Sequence, residues 1–358
     1  MRNLLLHDIH EKAGARLGAR AGAELVLGYG PIESEWRALQ SAAVLVDRSH
    51  RALLAVQGPE ARLYLHGMVT NEVKALRAGQ GNRAAVINAR GKMLGEGTII
   101  ARENDELLVD LDPEAHEPVA LHLDQFLVSE DCTLHDLTGV LAAFGVYGPR
   151  AGEVIEAVMG GTPPELPLHH HVDGAFLGGP AMLLAAAPAG VAGWELWVPA
   201  ANAQAAWEQL LAALEEAGGV PAGDEVLEAA RVHNVVPRYG ADMDENTIPL
   251  EANREEAISY TKGCYVGQEV IAKATYRGQV RRKLARLVVP AGTKPGASLV
   301  EGEKVVGTLT SVLDPDPAGG PPRALGYVRR DRLQLGARLA LEGGGAAELD
   351  WVPPVKEE

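Results

Sequence analysis

Three short apolar runs lie between residues 84 and 111 with only turn residues between them. Residues 84–88 and 97–102 flank Ala89-Arg90-Gly91-Lys92, and Glu103-Asn104-Asp105 separates the second run from residues 107–111. Connections this short join neighbouring strands antiparallel, because a parallel pair needs a crossover of about a dozen residues or more. The meander therefore commits the chain to antiparallel sheet. Helical periods surround it. Ala61, Tyr64, Leu65 and Met68 fall at i, i+3, i+4 and i+7 behind Gly58-Pro59. Ala203, Trp207, Leu210, Leu211 and Leu214 mark an amphipathic helix closed by Gly218-Gly219. Together these make an α+β fold. At 358 residues the chain exceeds one ordinary core, so two or three domains are expected.

Other helices are expected over 7–16, 33–41, 113–125, 149–158 and 225–234, the last with Asp224 as N-cap. Strands are expected over 52–56, 133–137, 141–146, 182–186 and 193–199. The tail reads as a small all-β domain, with strands at 282–289, 298–301, 304–309, 324–328 and 338–341 between Pro/Gly turns.

A net charge of −15 argues against a general polyanion binder, which needs a basic face. The two cysteines, Cys132 and Cys264, form neither a disulfide framework nor a CxxC metal knuckle, and a reducing compartment is the simpler reading. The opening ten residues are too short and mixed for a signal peptide, and no apolar run reaches the ~20 residues of a membrane span. A cytoplasmic protein without membrane association is expected. His169-His170-His171 is a weak metal signal, because alternate strand residues face opposite sides.

Lys262-Gly263-Cys264-Tyr265-Val266-Gly267-Gln268-Glu269 concentrates chemistry in eight residues. Its thiol lies between two glycines that permit a tight turn, two residues after a lysine and just before a short helix. A nearby cation and a helix N-terminus favour the thiolate, the nucleophilic and metal-binding form. Gln268 and Glu269 can cap the helix or hold a partner. The bland alternative is a small Cys packed in a turn. Beyond it, Lys273, Arg277, Arg281, Arg282, Lys283 and Arg286 occur with no acidic residue between Glu269 and Glu301. That run is either a docking patch or a set of solvated side chains.

Residues 262–269, continued by Ala272-Lys273-Ala274-Thr275-Tyr276-Arg277-Gly278, resemble the signature of the YgfZ family of folate-binding proteins, relatives of the glycine-cleavage aminomethyltransferase (T-protein). Other segments are similar to that wider group: Asp47-Arg48-Ser49-His50 before a strand, the 88–92 hairpin, Gly193-Trp194-Glu195-Leu196-Trp197-Val198, Pro237-Arg238-Tyr239-Gly240 and Pro249-Leu250-Glu251-Ala252. The resemblance implies a first folate-binding subdomain from residues 1–50 with 138–250, and a second α+β subdomain over 51–137. It further implies a Cys-motif segment at 251–278 and a C-terminal β-barrel over 279–358. It implies tetrahydrofolate or a derivative as cofactor, with Glu195, Arg231 and Asn88 at the folate site. A carboxylate suits the pterin because it accepts two hydrogen bonds from an aminopyrimidine edge. On residues alone, Glu195 reads rather as a surface strand charge, and Arg231 equally suits a solvated helix face.

The resemblance gives Cys264 the functional thiol, with Lys262, Gln268 and Glu269 around it. The implied activity is support of iron–sulfur cluster assembly or repair in client enzymes, tRNA-modifying ones among them. Iron–sulfur assembly or client proteins would be its partners, and direct nucleic-acid binding is not expected. Cys264 would ligate a cluster only transiently, since a stable one normally takes four cysteines. The alternative is a tetrahydrofolate-dependent aminomethyltransferase or related one-carbon transferase. Against it, the related transferases carry an acidic pair shortly after the 88–92 turn, where this chain has only Gly95-Glu96. Glu96 is the candidate substitute.

Overall fold

The computed structural model describes residues 1–276, 278 and 280–354. The meander forms Gly81–Ile87, Met93–Ala101 and Glu106–Leu111, all antiparallel. Ala52–Gln57 and Thr133–Asp136 extend it to five strands. A second, six-stranded sheet runs in the order His171–Phe176, Gly179–Ala186, Gly193–Pro199, Leu141–Tyr147, Val44–Asp47, Val220–Pro221. Its last pair is parallel.

Alternation along Gly193–Pro199 sets its two faces. Leu196 and Val198 enter a core with the helices Ala151–Met159 and Ala203–Glu216. Glu195 and Trp197 point the other way, and Trp197 packs with Met182 and Leu184 against Leu53, Ile100 and Leu108 of the five-stranded sheet. Each fully buried aliphatic side chain in these layers contributes roughly 1.5–3 kcal/mol. The tail closes into a six-stranded barrel, from Arg282–Val288 to Ala346–Trp351, around its own apolar core.

Two local expectations need correction. The helix expected over 7–16 spans only His7–Lys12, and residues 16–28 form a hairpin, Arg16–Arg20 paired with Ala23–Gly28, that the Ala/Gly-rich sequence does not announce. Its turn uses Ala21 at φ 45° and Gly22 at φ 78°, and an alanine there is not a recognisable turn residue. The helix Asp224–His233 has Gly223 at its N-cap, so Asp224 is its first residue and its side chain is free for Arg20. Among the described residues no helix is long and apolar enough to cross a membrane.

Candidate functional site

Asp47, the last residue of Val44–Asp47, is buried and accepts the Ser49 N–H at 2.8 Å and a 2.8 Å hydrogen bond from His10. The Ser49 hydroxyl accepts the Ala143 N–H at 3.1 Å. These bonds fix the 47–51 turn and aim Arg48 and Arg51 into a cleft between the two sheets. The cleft holds about 670 Å³ of non-protein space, counting its open mouth. Helix Asp224–His233 supplies Glu228 and Arg231, the 16–28 hairpin Arg20, the meander Arg83, Thr98 and Asp110, the N-cap of helix Pro113–Phe126 Asp112, and the 168–170 turn His169.

Glu195 sits in this wall, only 3% exposed. Its Oε1 accepts the Tyr147 hydroxyl at 2.6 Å and its Oε2 the Trp197 indole N–H at 3.1 Å. Gly145 lies beside Glu195 in the sheet, and its missing side chain leaves the space that the Tyr147 ring fills. Burial opposes the Glu195 charge, but Arg48, the Tyr147 hydroxyl, Arg51 and Trp197 outweigh it and hold the carboxyl below its usual range. Arg48 Nε lies 3.5 Å from Glu195 Oε1 and is buried without a hydrogen-bond partner.

Arg51 bonds both Asp110 and Asp112 at 2.6 Å. Burial would raise Asp112, but Arg51, Arg20 and Arg238 together hold it well down. Asp110 goes the other way: burial and the Glu195 charge raise it against the pull of Arg51. One guanidinium thus serves two carboxylates, and Asp110 is the more poorly compensated of the pair. Burial, then Arg83 and Arg254, push the His169 ring down to about 4, so it is neutral near pH 7.

The cleft gathers Glu195 and Arg231 from the residues singled out in the sequence. Arg231 lines its edge, with the guanidinium tied to Asp242 at 2.6 Å and to Ser311 of the barrel at 2.7 Å. Asn88 is not among the lining residues. Its side-chain oxygen accepts the Arg90 and Lys92 N–H groups, and its carbonyl packs against Gly267. Glu96 does not line the cleft either. It is buried, with Arg254 on both oxygens at 2.7 and 2.9 Å and Arg83 at 3.0 Å. It is an anchor for Arg254, not a free substitute for an acidic pair.

The cysteine segment lies elsewhere, against the helix Ala61–Met68 and the 88–92 hairpin. Lys262 Nζ donates to the carbonyls of His66, Val69 and Asn71 at 2.5, 2.7 and 2.8 Å, closing the end of that helix. Burial pushes the Lys262 ammonium down to about 8. Cys264 is exposed, and Gly263 approaches the His66 ring, a neighbour the sequence does not reveal. Gln268 opens the helix Gln268–Tyr276, and Glu269 pairs in solvent with Lys273 at 2.6 Å. The basic run is largely neutralised: Arg282 meets Glu251, Lys283 meets Glu255 and Arg286 meets Asp350. Arg277 lies outside the described residues. Cys132 is half-buried just before Thr133–Asp136. Among the described residues no three His, Cys, Asp or Glu side chains form a metal cluster, the 169–171 histidines included.

Arg20, Arg48, Arg51, Asp110 and Asp112 escaped the sequence reading. The one signal was two aspartates at i and i+2 ending an apolar strand, a spacing that puts both on one face.

The GCVT N-terminal domain family matches residues 6–262, most of the chain and all of the cleft. The chain belongs to this family. Aminomethyltransferases are similar along nearly their whole length. That of Rubrobacter xylanophilus is 28% identical, covering 92% of this chain and 87% of its own. That of Streptomyces avermitilis is 26% identical, covering 91% and 89%. The crystal structure of the glycine cleavage system aminomethyltransferase T from Bartonella henselae superposes with a TM-score of 0.87 at 23% identity, covering 97% of this chain and 96% of the other. It shares the α+β architecture, barrel included. The family match ends at Lys262, where the cysteine motif begins. These relatives favour the aminomethyltransferase-like alternative over the YgfZ-type reading, and iron–sulfur assembly finds no support among them.

Proposed function

We propose that the cleft binds tetrahydrofolate or a derivative and that the protein is a folate-dependent transferase of the aminomethyl type. The observation that carries this reading is Glu195, an ionised carboxylate held in the cleft wall with one donor already on each oxygen. A carboxylate has about four acceptor sites, so one per oxygen stays open for an aminopyrimidine edge. Arg20, Arg83 and Arg238 nearby suit the carboxylates of a folate tail. Asp110 replaces Glu96 as the carboxylate for proton transfer at the one-carbon unit. The names of the related chains support the same activity.

Calorimetry with tetrahydrofolate tests the binding. Wild type and Cys264→Ala should bind alike, and Glu195→Ala should lose binding. Turnover of an aminomethyl donor with tetrahydrofolate should fall at least 100-fold in Asp110→Asn, in line with loss of a general acid–base group. Absence of binding by wild type would overturn the proposal.

A second reading keeps the YgfZ-type role, favoured by one observation: Cys264 is exposed on a turn outside the cleft. The chain's residues do not fit a resident iron–sulfur cluster, since a single exposed thiol stands alone and Cys132 lies in another segment. A cluster would have to be shared with a partner protein. Loss of client iron–sulfur enzyme activity in Cys264→Ala cells, with folate binding intact, would favour this role. Full activity would remove it.

A further inference from the structure

We propose that Arg48 reads position 4 of the pterin, selecting a 4-oxo ring over a 4-amino ring. The inference rests on the folate reading of the cleft and adds the residue that sets ligand choice within it. Arg48 is 6% exposed, and its Nε–H has no acceptor. Orphaned buried N–H groups are rare in folded proteins, and a ligand that brings the acceptor resolves them. Among the described residues Arg48 is the cation within 4 Å of Glu195, at 3.5 Å from Oε1. Arg51, the next guanidinium along the turn, is already engaged by Asp110 and Asp112.

The edge of a 2-amino-4-oxopterin presents an amino N–H, a ring N3–H and the O4 acceptor in a row. Glu195 matches the two donors. A donor immediately beside that carboxylate matches O4, and Arg48 occupies that place. A 4-amino ring would turn an N–H group toward the guanidinium, leaving two donors face to face, and its N3 would bring no hydrogen to Glu195. Sites built around a buried hydrogen-bonding group reject ligands that cannot complete it.

Folic acid and aminopterin differ at position 4 and, with it, at N3, which bears a hydrogen only in the 4-oxo ring, so their affinity ratio reports Arg48 and Glu195 together and the Arg48 variants separate the share of the guanidinium. Wild type should prefer folic acid by about 10- to 100-fold, the range for a hydrogen bond to a charged group. Arg48→Met should cut the ratio about tenfold, leaving the share that Glu195 reads through N3–H. Arg48→Lys keeps the charge but loses the Nε–H, and should cut the ratio at least threefold; it serves if the methionine variant does not fold. An unchanged ratio in the variants, or equal binding of both ligands by wild type, overturns the role of Arg48 and leaves the folate cleft standing. Failure of wild type to bind either ligand overturns the cleft reading and the Arg48 inference with it.

Discussion

Gly145→Ala tests how the fold holds Glu195 in place. An added Cβ at residue 145 would lie 2.3 Å from Tyr147 Oη and 2.4 Å from Cε2 and Cζ. No real contact is that short, so the ring must move. Tyr147 has no exposed surface and packs with Val44, Val46 and Ala230, which leaves it nowhere to go without strain. Overpacking of a tight core costs about 1–3 kcal/mol. Displacing the phenol also breaks its 2.6 Å hydrogen bond to the buried Glu195. A bond to a charged acceptor contributes about 1.5–3 kcal/mol. The substitution should therefore destabilise the fold by about 3–5 kcal/mol. Tyr147→Phe keeps the ring and removes only the bond, so it should cost about 1.5–3 kcal/mol. Both changes remove the same bond, so the double variant should fall short of additivity by about the energy of that bond. Chemical denaturation of the four proteins, followed by a signal from the sheet domains, reads the cycle. A Gly145→Ala cost below about 1 kcal/mol, or strict additivity, would refute the argument that Tyr147 supports Glu195.

Three further changes have clear expectations. Lys262→Met removes three charge-assisted bonds to carbonyls but relieves a buried cation, so we expect a net loss of about 2–3 kcal/mol by urea unfolding; no loss would mean the clamp on helix Ala61–Met68 is idle. Glu96→Gln takes the buried carboxylate from Arg254 and Arg83, leaving Arg254 only the exposed Glu256, and should cost about 3–5 kcal/mol of stability. A stable Glu96→Gln protein that lacks turnover would instead restore Glu96 as a catalytic carboxylate. His169 titrates at about 4 when folded against an ordinary 6.5, so between those values the unfolded chain binds a proton that the folded chain refuses. Stability from this group is thus present above about pH 6.5, is lost as pH falls toward 4, and is flat below. His169→Gln should remove about 2 kcal/mol of that acid loss, less than the full shift because the ring is partly open to solvent; identical pH profiles would refute it.

The elements of this fold are mostly local, and the sequence carries them well. The meander shows its turns, the barrel its Pro/Gly breaks, and Glu195 an alternation with Leu196 and Val198 that places it opposite the helix-covered face. The cleft is less legible because its walls meet only in three dimensions. Arg20 arrives on a hairpin whose turn residue is an alanine, and Arg48 and Arg51 project from a turn ordered by His10 and Ala143. Neither partnership has a sequence spacing that could announce it. Glu96 shows the reverse error: a carboxylate at a suggestive position, whose partners Arg83 and Arg254 become visible only when the 254 segment folds back onto the meander. Lys262 likewise reads as a neighbour for the thiol until its three carbonyl acceptors are seen.

Overall charge misleads about the cleft for the same reason. The chain carries −15, yet six arginines line the cleft against five carboxylates, Asp110, Asp112, Glu195, Asp224 and Glu228. With His169 neutral, the local balance is one positive charge, and most of those charges are paired at short range. Surface charge beyond about 8–10 Å is screened at physiological salt, so the acidic exterior has little hold on a ligand inside. A weakly positive, internally paired cleft selects by hydrogen-bond geometry rather than by field. Tetrahydrofolate affinity should then change less than about threefold between about 0.05 and about 0.5 M NaCl, measured by calorimetry. A steep fall with salt would show that long-range attraction of the anionic tail dominates, and that the geometry of Glu195 and its neighbours is secondary.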